Sequence, residues 1–332
     1  MKLSIPKILT RWSRPVVLAA LLLGVLCAAC GSRASRAAVN SSLESAAQTP
    51  SPRFTLPDIP AALSTPESRA KYLALHYWDN YAFADTALIH RPDITEQAFV
   101  DFVVILPHTD LSTAAEGLRT MLRGAEAEPT GRMYEHFLEM SERYLDDPNS
   151  PFRNEEYYIP VAEYILTDSR SDEWERIRPA SRLEMMKKNR VGELVRDFAY
   201  TLQDGTSGRL FSIRADYTLL YFYNPDCPNC REIAEALKAS PMINYLLASE
   251  TLAILALYPD EDLEAWRRHT AQIPPTWINA YDKGAVIRET PLYDLRAIPS
   301  LYLLDREKKV IVKDGTIEQI GGALEQLTTL NL

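Results

Sequence analysis

Cys227 and Cys230, in the stretch Cys227-Pro228-Asn229-Cys230, are the residues best suited to do chemistry in this chain. Two thiols separated by two residues can cycle between dithiol and disulfide, supply half of a zinc site, or form a structural staple. A staple stabilises by closing a long loop in the unfolded chain, and this pair closes almost nothing. Zinc needs four ligands, typically a second cysteine pair or two spaced histidines. The other two cysteines, Cys27 and Cys30, lie in the N-terminal leader, and the five histidines (His76, His90, His108, His136 and His269) are isolated. The spacing therefore favours redox exchange, with no metal and no cofactor expected.

The flanking residues supply the elements such a pair needs. Tyr217 to Tyr223 (YTLLYFY) reads as a buried strand and Arg231 to Ala239 as a helix. A thiolate at a helix N-terminus is stabilised by the helix dipole and by unpaired backbone N–H groups. Cys227, where the strand ends, is then the nucleophile. Pro228 suits the first helical position. Cys230, a turn further in, is the resolving thiol that attacks a mixed disulfide. Asp226 disfavours a second negative charge beside it, which points to a reducing dithiol rather than a strong oxidant.

Elsewhere the chain changes character near Gly192. From about Ser64 to Lys188 the apolar spacing is helical, as in Met133, Phe137, Met140 and Tyr144, with Thr95–Leu106, Ser112–Arg123, Glu155–Leu166 and Asp172–Lys188 reading alike. Five to seven helices are expected. Beyond Gly192, strands are expected at Asp197–Leu202, Tyr217–Tyr223 and Thr251–Tyr258, a helix at Glu261–His269, a hairpin from Ser300–Leu304 and Lys309–Lys313, and a closing helix capped by Thr316 and Gln319. The expected fold is α/β with a central mixed sheet, preceded by an all-α domain.

The N-terminus carries Lys2, Lys7, Arg11 and Arg14, then an apolar stretch from Val16 to Ala29. The stretch is short of the ~20 residues that span a bilayer and fits a secretory signal core. Small residues before Cys30 resemble a lipoprotein signal, which makes Cys30 the acylated residue and removes Cys27. The expected organisation is a signal peptide at 1–29, a flexible tether at 30–57 rich in Ser, Ala and Pro, a helical domain at 58–190 and a redox domain at 191–332. Neither Cys27 nor Cys30 is expected to take part in redox chemistry. The formal charge of -9 becomes more negative once the basic leader is lost. That argues against nucleic acid and against electrostatic attraction to anionic lipid. Export places the thiols where disulfides persist.

Residues 192 to about 330 resemble a thioredoxin-fold domain of the thioredoxin-like lipoproteins, near the TlpA/ResA-like thiol-disulfide oxidoreductases. The resemblance rests on Asp197-Phe198, Gly205, LLYFYNPDCPNCREI at 219–233, Tyr258-Pro259-Asp260, Pro275-Thr276-Trp277 and Ala297-Ile298-Pro299-Ser300 before SLYLLD. It implies a cis proline at Pro299, preceded by Ile298, facing the dithiol and pairing its backbone with an extended substrate. It departs from the family pattern at Asp226, where a tryptophan is common. Residues 57–190 resemble a domain of unknown function that precedes thioredoxin domains in similar lipoproteins. The aromatic stretch from His76 to Tyr81 reads as packing rather than as a recognition surface, and Tyr223 and Trp277 read as core.

The resemblance implies a thiol-disulfide oxidoreductase acting on protein thiols or disulfides in the cell envelope, lipid-anchored to a membrane and facing the periplasm. It implies an external electron donor or acceptor, and the reductase direction is favoured. A thiol peroxidase is disfavoured, since no threonine lies between Pro225 and either cysteine. A non-enzymatic binding module on a thioredoxin scaffold is the remaining alternative, and the intact pair of cysteines weighs against it.

Overall fold

The computed structural model describes residues 54–168 and 173–329. The expected signal peptide, Cys30 and nearly all of the tether lie outside the described residues. Among the described residues no helix is long and apolar enough to cross a membrane. The described residues belong to one compact unit.

Six α-helices come first: α1 (Pro66–His76), α2 (Thr95–Ile105), α3 (Leu111–Glu126), α4 (Arg132–Ser141), α5 (Glu155–Thr167) and α6 (Glu173–Met186). A π-helical turn, Glu142–Asp146, continues α4. Side-chain caps fix the starts of three of them: Thr65 for α1, Asp110 for α3 and Asn154 for α5 each accept a backbone N–H of the first turn. Met133, Phe137 and Met140 face inward from α4 as their spacing requires. Tyr77, Trp78 and Tyr81 are buried, with Trp78 edge-on to Phe102 and Phe137. The aromatic stretch is therefore core. Gly117 lets α3 approach α1, since a Cβ there would lie 2.4 Å from the Ala74 carbonyl oxygen.

The second half is a seven-stranded mixed sheet. Its elements are β1 (Ala199–Leu202), β2 (Ser207–Arg209), β3 (Tyr217–Phe222), α7 (Pro228–Ala239), α8 (Pro241–Ala248), β4 (Leu252–Tyr258), α9 (Leu263–His269), β5 (Ile278–Tyr281), α10 (Val286–Glu289), β6 (Ser300–Leu304), β7 (Val310–Val312) and α11 (Ile317–Thr329). The strand order is β2-β1-β5-β4-β3-β6-β7. β3 runs parallel to β4 and antiparallel to β6, and β4 runs parallel to β5. Every residue of β3 is buried, as a central strand covered on both faces demands. Alternate side chains divide between two cores. Leu219 and Tyr221 join Leu237, Trp266 and Leu324, while Leu220 and Phe222 join Tyr293 and Tyr302.

Several boundaries differ from the sequence expectation. The first strand begins at Ala199 rather than Asp197, because the Asp197 carboxylate turns aside to accept from Arg209 and from the Phe211 N–H. The helix expected from Glu261 begins at Leu263, where Asp262 caps it. Thr316 and Gln319 form the reciprocal capping box at the closing helix.

Candidate active site

The C-terminal end of β3 delivers the chain into a short turn, Tyr223 to Asp226, and Cys227 is the N-cap of α7. Pro228 occupies the first helical turn, where its missing N–H costs nothing. The Cys230 N–H donates to Cys227 Sγ at 3.3 Å. The first thiol thus takes up one of the unpaired donors at the helix start, in the position where a developing thiolate is best stabilised. Both thiols are free, Cys227 half-buried and Cys230 buried.

Cys230 sits deeper. The Asn224 N–H donates to its Sγ at 3.5 Å. Burial pushes the Cys230 thiol well up, and the adjacent Cys227 sulfur adds to the effect. Cys230 is thereby held protonated. Part of that penalty disappears once Cys227 is consumed in a covalent bond. Beneath Cys230, the hydroxyl of the buried Tyr221 donates to the Cys230 carbonyl oxygen at 2.6 Å. A cavity of about 30 Å³ adjoins Cys230, lined also by Tyr221, Arg231 and His269, and is large enough for one water. Larger hollows of about 960 and 590 Å³ lie in the helical region, and neither is lined by a cysteine.

Ile298 and Pro299 enter from the start of β6. The peptide bond between them is cis. Cys227 Sγ lies 3.5 Å from the Ile298 carbonyl oxygen, and Ile298 packs against the same core as Cys227. The structure thus brings Cys227, Cys230, Ile298 and Pro299 together, while Cys30 lies outside the described residues. Asp226 is exposed, and its carboxylate is 4.0 Å from His269 Nε2. The His269 Nδ1–H donates to the Ala265 carbonyl oxygen at 2.8 Å, which leaves Nε2 facing Asp226. Tyr223 and Trp277 are buried. They are core, as their sequence setting suggested.

Three neighbours of the site carry no motif of their own. Asn224 positions the turn by donating from Nδ2 to Asp260 at 2.9 Å. Tyr221 reads as one more apolar strand residue, and only its alternation with Leu220 and Phe222 could have placed it beneath the thiols. Arg296, two residues before Ile298, binds a carboxylate 150 positions away, and nothing local signals that partner. Among the described residues no cluster of His, Cys, Asp and Glu is arranged to hold a metal ion.

Residues 29–189 match the family model of a domain of unknown function (DUF5106). A thioredoxin-like protein from Bacteroides caccae is 46% identical, with a TM-score of 0.79 covering 82% of this chain and 98% of that one. The C-terminal domain of an uncharacterized protein from Bacteroides fragilis is 47% identical, covering 41% of this chain and 98% of that domain, with a TM-score of 0.41. Nucleoredoxin from Homo sapiens is 24% identical over 128 residues, which is 39% of this chain and 28% of nucleoredoxin. The match therefore spans under a third of that relative.

Proposed function

We propose that this chain, which belongs to the thioredoxin-like proteins, is a thiol-disulfide oxidoreductase that reduces disulfides of exported proteins through Cys227 and Cys230. The observation that carries the reading is the placement of Cys227 Sγ, 3.3 Å from the Cys230 N–H and 3.5 Å from the Ile298 carbonyl oxygen. A nucleophile, its resolving partner and an open backbone edge meet there.

The exchange proceeds in two displacements. The Cys227 thiolate attacks one sulfur of a substrate disulfide, a Cys227–substrate bond forms, and the other substrate sulfur leaves as a thiolate that takes a proton. Cys230 then gives up its proton, attacks the Cys227 sulfur, and releases the second substrate thiol. The dithiol loses two electrons and becomes the Cys227–Cys230 disulfide, and the substrate gains those electrons and two protons. An external dithiol donor must restore the pair. Ile298 and Pro299 would receive an extended stretch of substrate by backbone pairing, a form of strand addition.

The sequence of the leader supports a cell-envelope location, with Cys30 as the lipid-bearing residue and the redox domain facing the periplasm. Turnover of a protein disulfide by the full chain, with dithiothreitol as donor, tests the activity, and Cys227→Ser should abolish it. The direction follows from the potential of the pair. A value near about -270 mV marks a reductase, and one near about -120 mV marks an oxidant and would reverse the assignment.

A further inference from the structure

Ile298 and Pro299 are not supported by the sheet alone. The segment leading to them is fastened to the helical half of the molecule. Arg296 Nη1 and Nη2 donate to the two carboxylate oxygens of Asp146 at 3.0 and 2.9 Å, and Nη2 also donates to the Asp146 carbonyl oxygen at 3.1 Å. A two-pronged contact of this kind fixes orientation as well as distance. Arg182, on α6, bridges the same joint, reaching Asp146 at 2.5 Å and Asp294 at 3.0 Å. Arg153 binds Asp314 and lies 3.8 Å from Asp294. Nearby, Asn189 Nδ2 donates to the Leu292 carbonyl oxygen at 2.8 Å, and Lys188 Nζ to that of Pro291 at 3.1 Å. Four residues of the segment, Pro291, Leu292, Asp294 and Arg296, are thus held by residues that precede the sheet.

The joint is dry. The side chains of Asp146 and Asp294 are 3% and 5% exposed. Burial alone would favour the neutral acids, yet the guanidiniums of Arg182 and Arg296 outweigh it and hold both carboxyls below their ordinary range. Burying so many charges is a poor way to gain stability, since apolar residues of similar size hold two surfaces together at least as well. What the charges add is a defined geometry. Two residues beyond Arg296, the Ile298 carbonyl oxygen stands 3.5 Å from Cys227 Sγ.

We infer that Asp146 and Arg182 of the helical region are positioning residues for the substrate site, acting through Arg296 to hold the Ile298–Pro299 backbone where a polypeptide docks. The inference rests on the dithiol-exchange reading and gives the helical region a part in it. Polypeptide disulfides, which use the Ile298 backbone, depend on the joint. Small disulfides need only the Cys227 sulfur and do not.

The test compares a disulfide-linked extended peptide with the small disulfide of Ellman's reagent, using the full chain, Arg296→Ala, Arg296→Lys and Asp146→Asn. For Arg296→Ala the KM for the peptide should rise about tenfold, equivalent to about 1.4 kcal/mol, with kcat and the rate with Ellman's reagent changed less than about twofold. Arg296→Lys keeps the charge but loses the fork, so its KM should fall between wild type and Arg296→Ala. Asp146→Asn should reproduce the KM effect from the helical side. If Arg296→Ala does not fold, the other two variants decide. An unchanged peptide KM overturns the inference, as does a parallel loss with both substrates. A wild-type chain that turns over neither substrate overturns the dithiol reading, and the inference falls with it.

Discussion

Asp146→Asn should weaken the fold at neutral pH, and the loss should shrink as the solution is made acid. The substitution keeps the volume of the side chain and removes its charge. Asp146 accepts from Arg182 at 2.5 and 3.3 Å and from Arg296 at 2.9 and 3.0 Å. Asparagine offers one oxygen to this pair and turns an NH2 group toward a guanidinium. Breaking a buried ion pair from one side costs about 3–5 kcal/mol. Arg182 and Arg296 both keep Asp294, at 3.0 and 3.2 Å, so the expected loss is near the lower end, about 3 kcal/mol. With a urea slope of about 3 kcal/mol/M that moves the midpoint by about 1 M. The sign of the pH effect follows from linkage. The folded-state carboxyl of Asp146 lies below its ordinary value, since the two guanidiniums outweigh the effect of burial. Its contribution is therefore complete above the unfolded value of about 4 and is lost as pH falls toward the folded one. Urea titrations at neutral pH and at about pH 3 measure both quantities. A neutral-pH loss under about 1 kcal/mol, as for an exposed pair, or a gap that widens in acid, would refute the reasoning.

Further outcomes follow from other parts of the fold. Gly117→Ala should cost about 1–3 kcal/mol despite the better helix propensity of alanine, because the new Cβ meets the Ala74 carbonyl oxygen at 2.4 Å and Phe102 at 3.2 Å; a urea midpoint at or above wild type would contradict the close α1–α3 approach. Release of a preformed Cys227 mixed disulfide should accelerate by about tenfold per pH unit from about pH 6 to about pH 8. Burial still holds the Cys230 thiol high after the Cys227 sulfur is bonded to substrate, so its thiolate fraction grows with pH, and a flat stopped-flow profile would count against that assignment.

The dithiol was legible in the sequence because everything that makes it is local. The β3 run, the proline at the first turn of α7 and the two cysteines lie within fourteen residues, from Tyr217 to Cys230. Six α-helices before the sheet agree with the range that apolar spacing suggested, and the Thr316–Gln319 box was readable from two residues. Short elements were not readable. β5 is four residues, Ile278–Tyr281, with one face only part-buried, and it gains its identity from pairing with β4 and β1. The Pro241–Ala248 helix is an apolar octet too short to show a period. The ties between Arg296, Asp294, Arg182 and Asp146 depend on residues up to 150 positions apart. Charges on amphipathic helices look alike in sequence whether solvent or another guanidinium faces them, so the joint behind the Ile298–Pro299 loop became visible only in three dimensions.

The most direct test of the central claim is a trapping measurement on the full chain carrying Cys230→Ser. The reduced variant is mixed with a protein disulfide, quenched in acid and mapped by mass spectrometry. The account predicts a substrate adduct on Cys227 that dithiothreitol releases and that is missing when Cys227 is also replaced by serine. Absence of the adduct, or its appearance on a residue other than Cys227, would contradict the account.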